Sequence, residues 1–521
     1  MNRFPLIFCI VCVLIMSACD PQLTTRRINL PEATPIALVP SPIEIKMEGD
    51  YLLLSQQSEA SCEENLKPFL HAFAADVHRL TDVNLNFSEE IHEETALHLS
   101  LSASLSPAAF EIHIDRSVGV KAGSPQAVGM ALQSLLQIVE VHEGALAFPR
   151  MELKDQPAAG YRGLMIDLAR QWHDLKTLKK LVQLAAFYKS NYLHLHFTDY
   201  QSYTLPSKHY PKLSTPDRHY TQAELQELDE FARKRGLTII PEIDIPGHAS
   251  SIVKAYPEIF AIKDMDKNPW IINMGSERVY RVLDTLLMEV AETFPHSPYL
   301  HIGGDEAIFD YVMADPQVKN YLSAHDLEAD VHELYRHFLV RMNEIVKKHG
   351  RQMCVWEGFR PEGKVKIPQD ILVFEFETNR YLPQDLVRDG YQVVNTSWKP
   401  LYVVNQKKWS PATIYDWHPG IWANWWEKAP SFSPIQVTPT PLIIGGQMCA
   451  WEQPADAEIP SLRKRLPVMN ERLWQLAKSV SLEDLLTKLE QTDHRLSQLI
   501  GDGRQDSLLI GYDFEAAMLE E

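Results

Sequence analysis

From residue 156 onward the chain alternates short, nearly unbroken apolar runs with segments whose apolar residues recur every three to four positions. The runs are "YRGLMIDLA" (161 to 169), "NYLHLHFTD" (191 to 199), "LTIIPEIDIP" (237 to 246), "YLHIGGDEA" (299 to 307), "QMCVWEGF" (352 to 359), "ILVFEFET" (371 to 378), "YQVVNTS" (391 to 397) and "LIIGGQMCAWE" (442 to 452). Between the early ones lie "LKTLKKLVQLAAFYKS", "TQAELQELDEFARKRG" and "SERVYRVLDTLLMEVAETF". Apolar runs without polar alternation read as strands buried on both faces, and helices between them cover a parallel sheet. Eight such units in about 320 residues match the size of a (β/α)8 barrel. An α/β TIM barrel with C-terminal helices is therefore predicted over residues 156–521. A doubly wound sheet would carry a GxGxxG turn after its first strand, where "DLARQWHD" stands instead.

Ahead of the barrel the pattern differs. "LVPSPIEIKMEGDYLLL", "ALHLSLS" and "FEIHIDRSVGVKAG" alternate partially and read as strands, while "SPQAVGMALQSLLQIVEV" reads as an amphipathic helix capped by Ser124. These predict a small α+β domain over residues 35–155. All 11 tryptophans lie beyond residue 160, which marks the same boundary.

The extreme N-terminus is a third region. Arg3 precedes "LIFCIVCVLIMSA", short for a bilayer span and suited to a secretory signal core. It ends in "MSAC", which resembles a bacterial lipobox. The expectation is a signal peptide over 1–18, acylation of Cys19, a tether over 19–34, and an exported protein anchored to a bacterial membrane by lipid alone. A plainly cleaved signal or an uncleaved anchor are the alternatives. Cys62, Cys354 and Cys449 then remain, with neither a disulfide framework nor metal-ligand spacing, and the last two sit in apolar runs as core residues. A formal charge of −19 and a pI near 5.5 argue against nucleic-acid binding.

Chemistry enters at the strand ends, because a parallel barrel carries its functional groups there. Asp167 and Arg170, Asp199, Glu242 and Asp244, Asp305 and Glu306, Glu357, Glu375 and Glu377, and Glu452 all close apolar runs, predicting a carboxylate-rich pocket. Asp305 and Glu306 are adjacent, and neighbours in a regular strand point to opposite faces. Both reach the mouth only if the strand breaks, which Gly303 and Gly304 permit. Ordinary glycosidases set their two carboxyls on opposite sides of the scissile bond, roughly 5 to 9 Å apart. An adjacent pair suits an acid and a helper on one side, with one carboxyl kept protonated by burial and its neighbour's charge.

"HIGGDEA", with "YRGLMIDLAR", "NYLHLHFTD", "PEIDIPGHA" and "YPKLS", resembles the β-N-acetylhexosaminidases of glycoside hydrolase family 20. The resemblance runs from residue 35 to the last barrel strand and implies an accessory domain before a barrel. It implies exo-hydrolysis of terminal β-linked N-acetylglucosamine or N-acetylgalactosamine from an oligosaccharide or glycoconjugate, without metal or organic cofactor. The nucleophile would be the substrate's own acetamido carbonyl, through an oxazolinium ion with net retention. Glu306 would be the acid and then the base, Asp305 the partner of the acetamido N–H, and Tyr402 a donor to its oxygen. Asp199 and His248 would relay to Glu306, Arg162 would hold ring hydroxyls, and Trp356 and Trp451 would wall the sugar. Trp417, with Trp422, Trp425 and Trp426, would either stack on a longer glycan or pack a loop.

Departures from the family's pattern fall on recognition. Tyr200 stands where a second Asp is usual, Tyr203 where a Trp is usual, Val404 where the family's Tyr-x-Asp ends, and Phe376 in place of a third pocket Trp. Gln453 replaces the Glu of a Trp-x-Glu, which implies weaker contact with distal ring hydroxyls. Two rivals follow: a tethered glycan-binding protein with weakened turnover, and a metal-dependent barrel hydrolase suggested by the histidines and carboxylates near strand ends.

Overall fold

The computed structural model describes residues 25–29, 36–88, 95–405 and 407–502. The expected signal and Cys19 lie outside these residues. No described helix is long and apolar enough to cross a membrane. Part of the expected tether is folded: Thr25–Ile28 pairs antiparallel with Tyr51–Leu54 at the edge of the first sheet.

That mixed nine-stranded sheet ends at Asp155. Its helix Pro125–Ile138 begins where Ser124 Oγ accepts the Ala127 N–H at 3.2 Å. The helix is not amphipathic in context, because from Ala127 to Ile138 every residue is buried between the sheet and the barrel. Gln137 meets that burial by donating to the Val39 and Phe187 carbonyls at 2.7 and 2.6 Å and accepting from Val39 N–H at 2.8 Å.

Each of the eight apolar runs contains a barrel strand: β1 (Tyr161–Asp167), β2 (Tyr192–His196), β3 (Thr238–Glu242), β4 (Tyr299–His301), β5 (Gln352–Trp356), β6 (Leu372–Glu375), β7 (Gln392–Asn395) and β8 (Ile443–Ala450). Neighbours pair in parallel and β8 closes onto β1, with Tyr161 opposite Gly445 and Ile166 opposite Ala450. Helices α1 (Leu175–Phe187), α2 (Gln222–Arg233) and α3 (Glu277–Thr293) fall where the periodicity places them. Three C-terminal helices complete the shell, and Trp474 on one of them donates its indole N–H to Asp155 at 2.8 Å, joining the two domains.

Strand alternation divides the apolar residues into an outer layer against the helices and an inner one that includes Met165, Ile240, Cys354, Leu372, Phe374 and Cys449. The inner layer also holds polar groups. Glu242 accepts from Trp356 Nε1 at 2.6 Å and from His196 Nδ1 at 2.7 Å, with His194 Nε2 at 3.0 Å and His301 Nδ1 at 3.2 Å. Burial opposes the charge on Glu242, but His196, His301 and His194 hold its carboxyl well below the usual range.

The seam between β1 and β8 requires a residue without a side chain, since a Cβ on Gly445 would lie 1.8 Å from the Tyr161 carbonyl oxygen. Gly445→Ala is expected to destabilise the chain by about 2 kcal/mol or more, read as a lowered midpoint in urea unfolding.

Candidate active site

The acid pair sits where β4 breaks up. Gly303 and Gly304 have φ of 70° and 103°, and a Cβ on Gly303 would lie 1.7 Å from Asp244 Oδ1. The Gly304 N–H donates to that oxygen at 3.3 Å, and the Gly304 carbonyl accepts from Tyr335 Oη. Glu306 itself has φ of 45°. The strand's alternation is thereby cancelled, and Asp305 and Glu306 both enter one cavity of about 320 Å³. Oxygens of the two carboxyls and a nitrogen of His248 lie within 4.8 Å of one another. Asp305 is 8 % exposed, and its Oδ1 is buried without a donor from another described residue. The Glu306 side chain is 48 % exposed at the rim.

A line of alternating charge runs from the barrel interior to this pair. His196 faces Glu242 through Nδ1 and Asp199 Oδ2 through Nε2, at 2.7 and 3.0 Å. Asp199 Oδ1 is 3.3 Å from His248 Nδ1, and His248 Nε2 is 3.4 Å from Glu306 and 3.8 Å from Asp305. Burial works against charge along this line, yet the partners prevail: His196 and His248 are raised and Asp199 is lowered from their ordinary values. At the mouth the pattern reverses what a neighbouring charge alone predicts for the donor. Burial, reinforced by Glu306 and Glu242 against the pull of His248, pushes Asp305 up to about 6, while the ion pair with His248 at 3.4 Å lowers Glu306. Asp244, buried beside Asp305, is raised well above the usual range.

The remaining wall is aromatic and basic: Arg170, Phe376, Trp398, Tyr402, Val404, Trp451 and Glu452 line the cavity. Tyr402 stacks on Trp398 with centroids 4.2 Å apart, and the Arg170 guanidinium lies 5.0 Å from the centre of the Trp451 ring. Arg170 also bridges Asp167, Asp199 and Glu452 at 3.2, 2.5 and 3.6 Å. An acid pair in an aromatic-walled cavity at the C-terminal rim of a barrel suits a ring-shaped polyol.

Comparison with known families agrees. A model of the glycosyl hydrolase family 20 catalytic domain matches residues 160–476, and one of that family's domain 2 matches residues 35–156. The chain belongs to glycosyl hydrolase family 20. A beta-hexosaminidase of Vibrio furnissii is 28% identical over 483 residues, covering 85% of this chain and 76% of that protein. A beta-hexosaminidase of Porphyromonas gingivalis is 28% identical over 392 residues, covering 68% of this chain, which spans 50% of that longer relative. In fold the chain is similar to the exo beta-N-acetylglucosaminidase of Vibrio harveyi, solved with N-acetylglucosamine, at a TM-score of 0.76 and 24% identity, covering 92% and 80% of the two chains. It is similar also to the beta-N-acetylhexosaminidase of Bacteroides fragilis, at a TM-score of 0.76 and 23% identity, covering 89% and 96%.

Within this family 20 barrel, Glu306, Asp305, His248, Tyr402, Trp451 and Phe376 meet at the cavity, with Asp199 immediately behind. Four expected residues do not. Arg162 opens β1 at the opposite end of the barrel, 1 % exposed, donating to the Lys189 and Ala159 carbonyls at 3.0 and 2.7 Å and lying over Trp474. The arginine at the mouth is Arg170, three residues past the end of β1. Trp356 lies beneath the floor, tied to Glu242. Gln453 is buried and turned back to the Trp451 carbonyl at 2.9 Å, while Glu452, with φ of 56°, faces the cavity in its place. Trp417 is packed in the outer core, its indole N–H on the Ile421 carbonyl at 3.1 Å. Trp398 had no signal beyond the aromatic richness of its segment.

Strand-end carboxylates also divide by role. Glu357 accepts from the Arg380 and Tyr381 N–H groups at 2.7 and 2.8 Å, and Glu375 from Thr378 N–H at 2.6 Å, so both fasten the loop after β6 rather than line the cavity. Burial pushes Glu357 up to about 7. His194, Glu242 and His301 are close enough to hold a metal ion. Their lone pairs are largely committed, however: Glu242 to Trp356 and His196, and His301 Nδ1 to the Gly303 N–H at 3.0 Å. The donor set fits a hydrogen-bonded core better than a metal centre.

These placements separate two arginines. Arg162→Met is expected to cost about 3 kcal/mol of stability in urea unfolding with KM unchanged, because buried carbonyls lose their donor. Arg170→Met is expected to lower kcat/KM at least tenfold on any substrate the cavity accepts.

Proposed function

We propose that the chain is an exo-acting β-N-acetylhexosaminidase that removes terminal β-linked N-acetylglucosamine or N-acetylgalactosamine with retention, using the substrate's acetamido group as nucleophile. The supporting observation is that Asp305 and Glu306 share one side of the cavity, both facing His248 Nε2, with Asp305 Oδ1 buried and unengaged. Carboxyls so close do not straddle a scissile bond as acid and enzyme nucleophile do. The named activities of the relatives support the same substrate class.

In this reading the sugar fills the cavity with its acetamido group against Tyr402, Trp398 and Trp451. Asp305 accepts the acetamido N–H, which aims the carbonyl oxygen at C1 and stabilises the positive charge of the oxazolinium ion. Glu306, at the rim, donates its proton to the departing glycosidic oxygen, then takes a proton from the water that opens the ring. Arg170 and Glu452 face the ring hydroxyls. We further propose that the protein is exported and held to a membrane through acylated Cys19, reaching glycans outside the cytoplasm; the apolar leader and "MSAC" support this.

Glu306→Gln is expected to lower kcat on an aryl N-acetyl-β-glucosaminide about 10²- to 10⁴-fold, and the unacetylated aryl glucoside is expected to stay intact with every form of the enzyme. Cleavage of both sugars at equal rates would remove the acetamido group from the mechanism, and no cleavage of either would favour a glycan-binding role.

The pH profile is a second test. The productive pair carries one proton, on Glu306, with Asp305 ionised. Rising pH strips that proton as the upper of the pair's macroscopic steps is passed, and falling pH adds a second below the lowered value of Glu306. With Asp305 at about 6, kcat/KM is expected to peak on the acid side of neutrality and to fall tenfold per unit well above about pH 6.

A further inference from the structure

The relay histidine is held by more than its carboxylates. The Tyr200 ring stacks on the His248 imidazole with centroids 4.8 Å apart and planes 19° from parallel. Tyr200 also reaches the relay through its backbone, its N–H donating to Asp199 Oδ1 at 2.5 Å, the oxygen that faces His248 Nδ1. His248 adopts a φ of 49°, a conformation a β-carbon disfavours. The side chain of Tyr200 is half-buried behind His248 and does not line the cavity.

From this geometry we infer that Tyr200 is a positioning residue of the reaction: its aromatic face holds the His248 imidazole in place and keeps its Nε2 directed between Asp305 and Glu306. The claim rests on the reading of those two residues as the reacting pair.

The physical basis is the attraction between a cation and the negative face of an aromatic ring, which strengthens as water is excluded. The groups facing His248 are otherwise acidic: Asp199 at Nδ1, Glu306 and Asp305 at Nε2, and Asp244 nearby. A carboxylate at position 200 would add another charge to that set. An aromatic face supports the cation without competing for its N–H groups, so both protons stay aimed at Asp199 and at the mouth. The consequence reaches Glu306, because the charge on His248 is what holds the Glu306 carboxyl down.

The test compares Tyr200→Phe, which keeps the ring face, with Tyr200→Leu, which removes it, in the full chain. Thermal unfolding first establishes that both are folded at the assay temperature. On an aryl N-acetyl-β-glucosaminide, Tyr200→Leu is expected to lower kcat about tenfold with KM within about twofold, and to move the alkaline limb of kcat/KM up by about half a pH unit, as His248 loosens its hold on the pair. Tyr200→Phe is expected to track the wild type in both. Independently of turnover, the downfield ring N–H resonances of His248 at pH 8, assigned by their loss in His248→Gln, are expected to be sharp in wild type and Tyr200→Phe and broadened or shifted in Tyr200→Leu as the ring loses its fixed orientation. Resonances in Tyr200→Leu as sharp and at the same positions as in the wild type, or a Tyr200→Phe as impaired as Tyr200→Leu, overturn the inference. Failure of the wild type to cleave the substrate, with the resonances behaving as expected, refutes the proposed activity and leaves the ring's role standing.

Discussion

A carboxylate buried inside the barrel sets the terms for the rest of the molecule. An unpaired charge at Glu242 would cost several kcal/mol in a site closed to water. Trp356 and His196 donate to it, and His194 and His301 lie beside it. Meeting that requirement fixes the protonation of His196, which carries a proton on each nitrogen, and so leaves its second N–H to Asp199. Asp199 in turn engages His248 and Arg170, and those two cations set the field felt at the mouth. The polarity of the rim is thus inherited from the barrel's centre, one hydrogen bond at a time.

Much of this was readable from the chain. The eight strands announce themselves as apolar runs because both faces of a barrel strand are buried, and the acid pair announces itself through the two glycines needed to bend it into view. Where the placements differ from the expectation, the causes are local. Arg162 and Arg170 bracket the same strand, and only direction along the strand decides that one caps the closed end and the other the open end. Gln453 and Glu452 are neighbours just past β8, where a left-handed residue ends the alternation that would have told them apart. Glu357 and Glu375 look like cavity carboxylates by position, but free N–H groups in the loop after β6 claim them. Trp398 comes from an irregular segment, where periodicity carries no information.

The distribution of burial between Asp305 and Glu306 shows why the pair needs unlike environments. Asp305 sits deep, where desolvation favours its neutral form; Glu306 sits at the rim, where His248, Arg170 and Arg380 favour its charge. Of the two carboxyls the deeper one therefore holds a proton to the higher pH, up to about 6. A bound amide offers Asp305 the hydrogen bond its unengaged oxygen lacks and covers Glu306 from water, and both changes push the proton outward.

The helix Pro125–Ile138 carries a last consequence. Because residues 127–138 are enclosed on every side, with Gln137 satisfied across the boundary and Trp474 reaching back to Asp155, the first sheet is a wall of the barrel rather than a passenger. A barrel shorn of that sheet would turn an oily flank and orphaned carbonyls toward water. Shuffling the catalytic module into another architecture would thus require carrying its companion along, and the smallest heritable unit of this hydrolase is the pair.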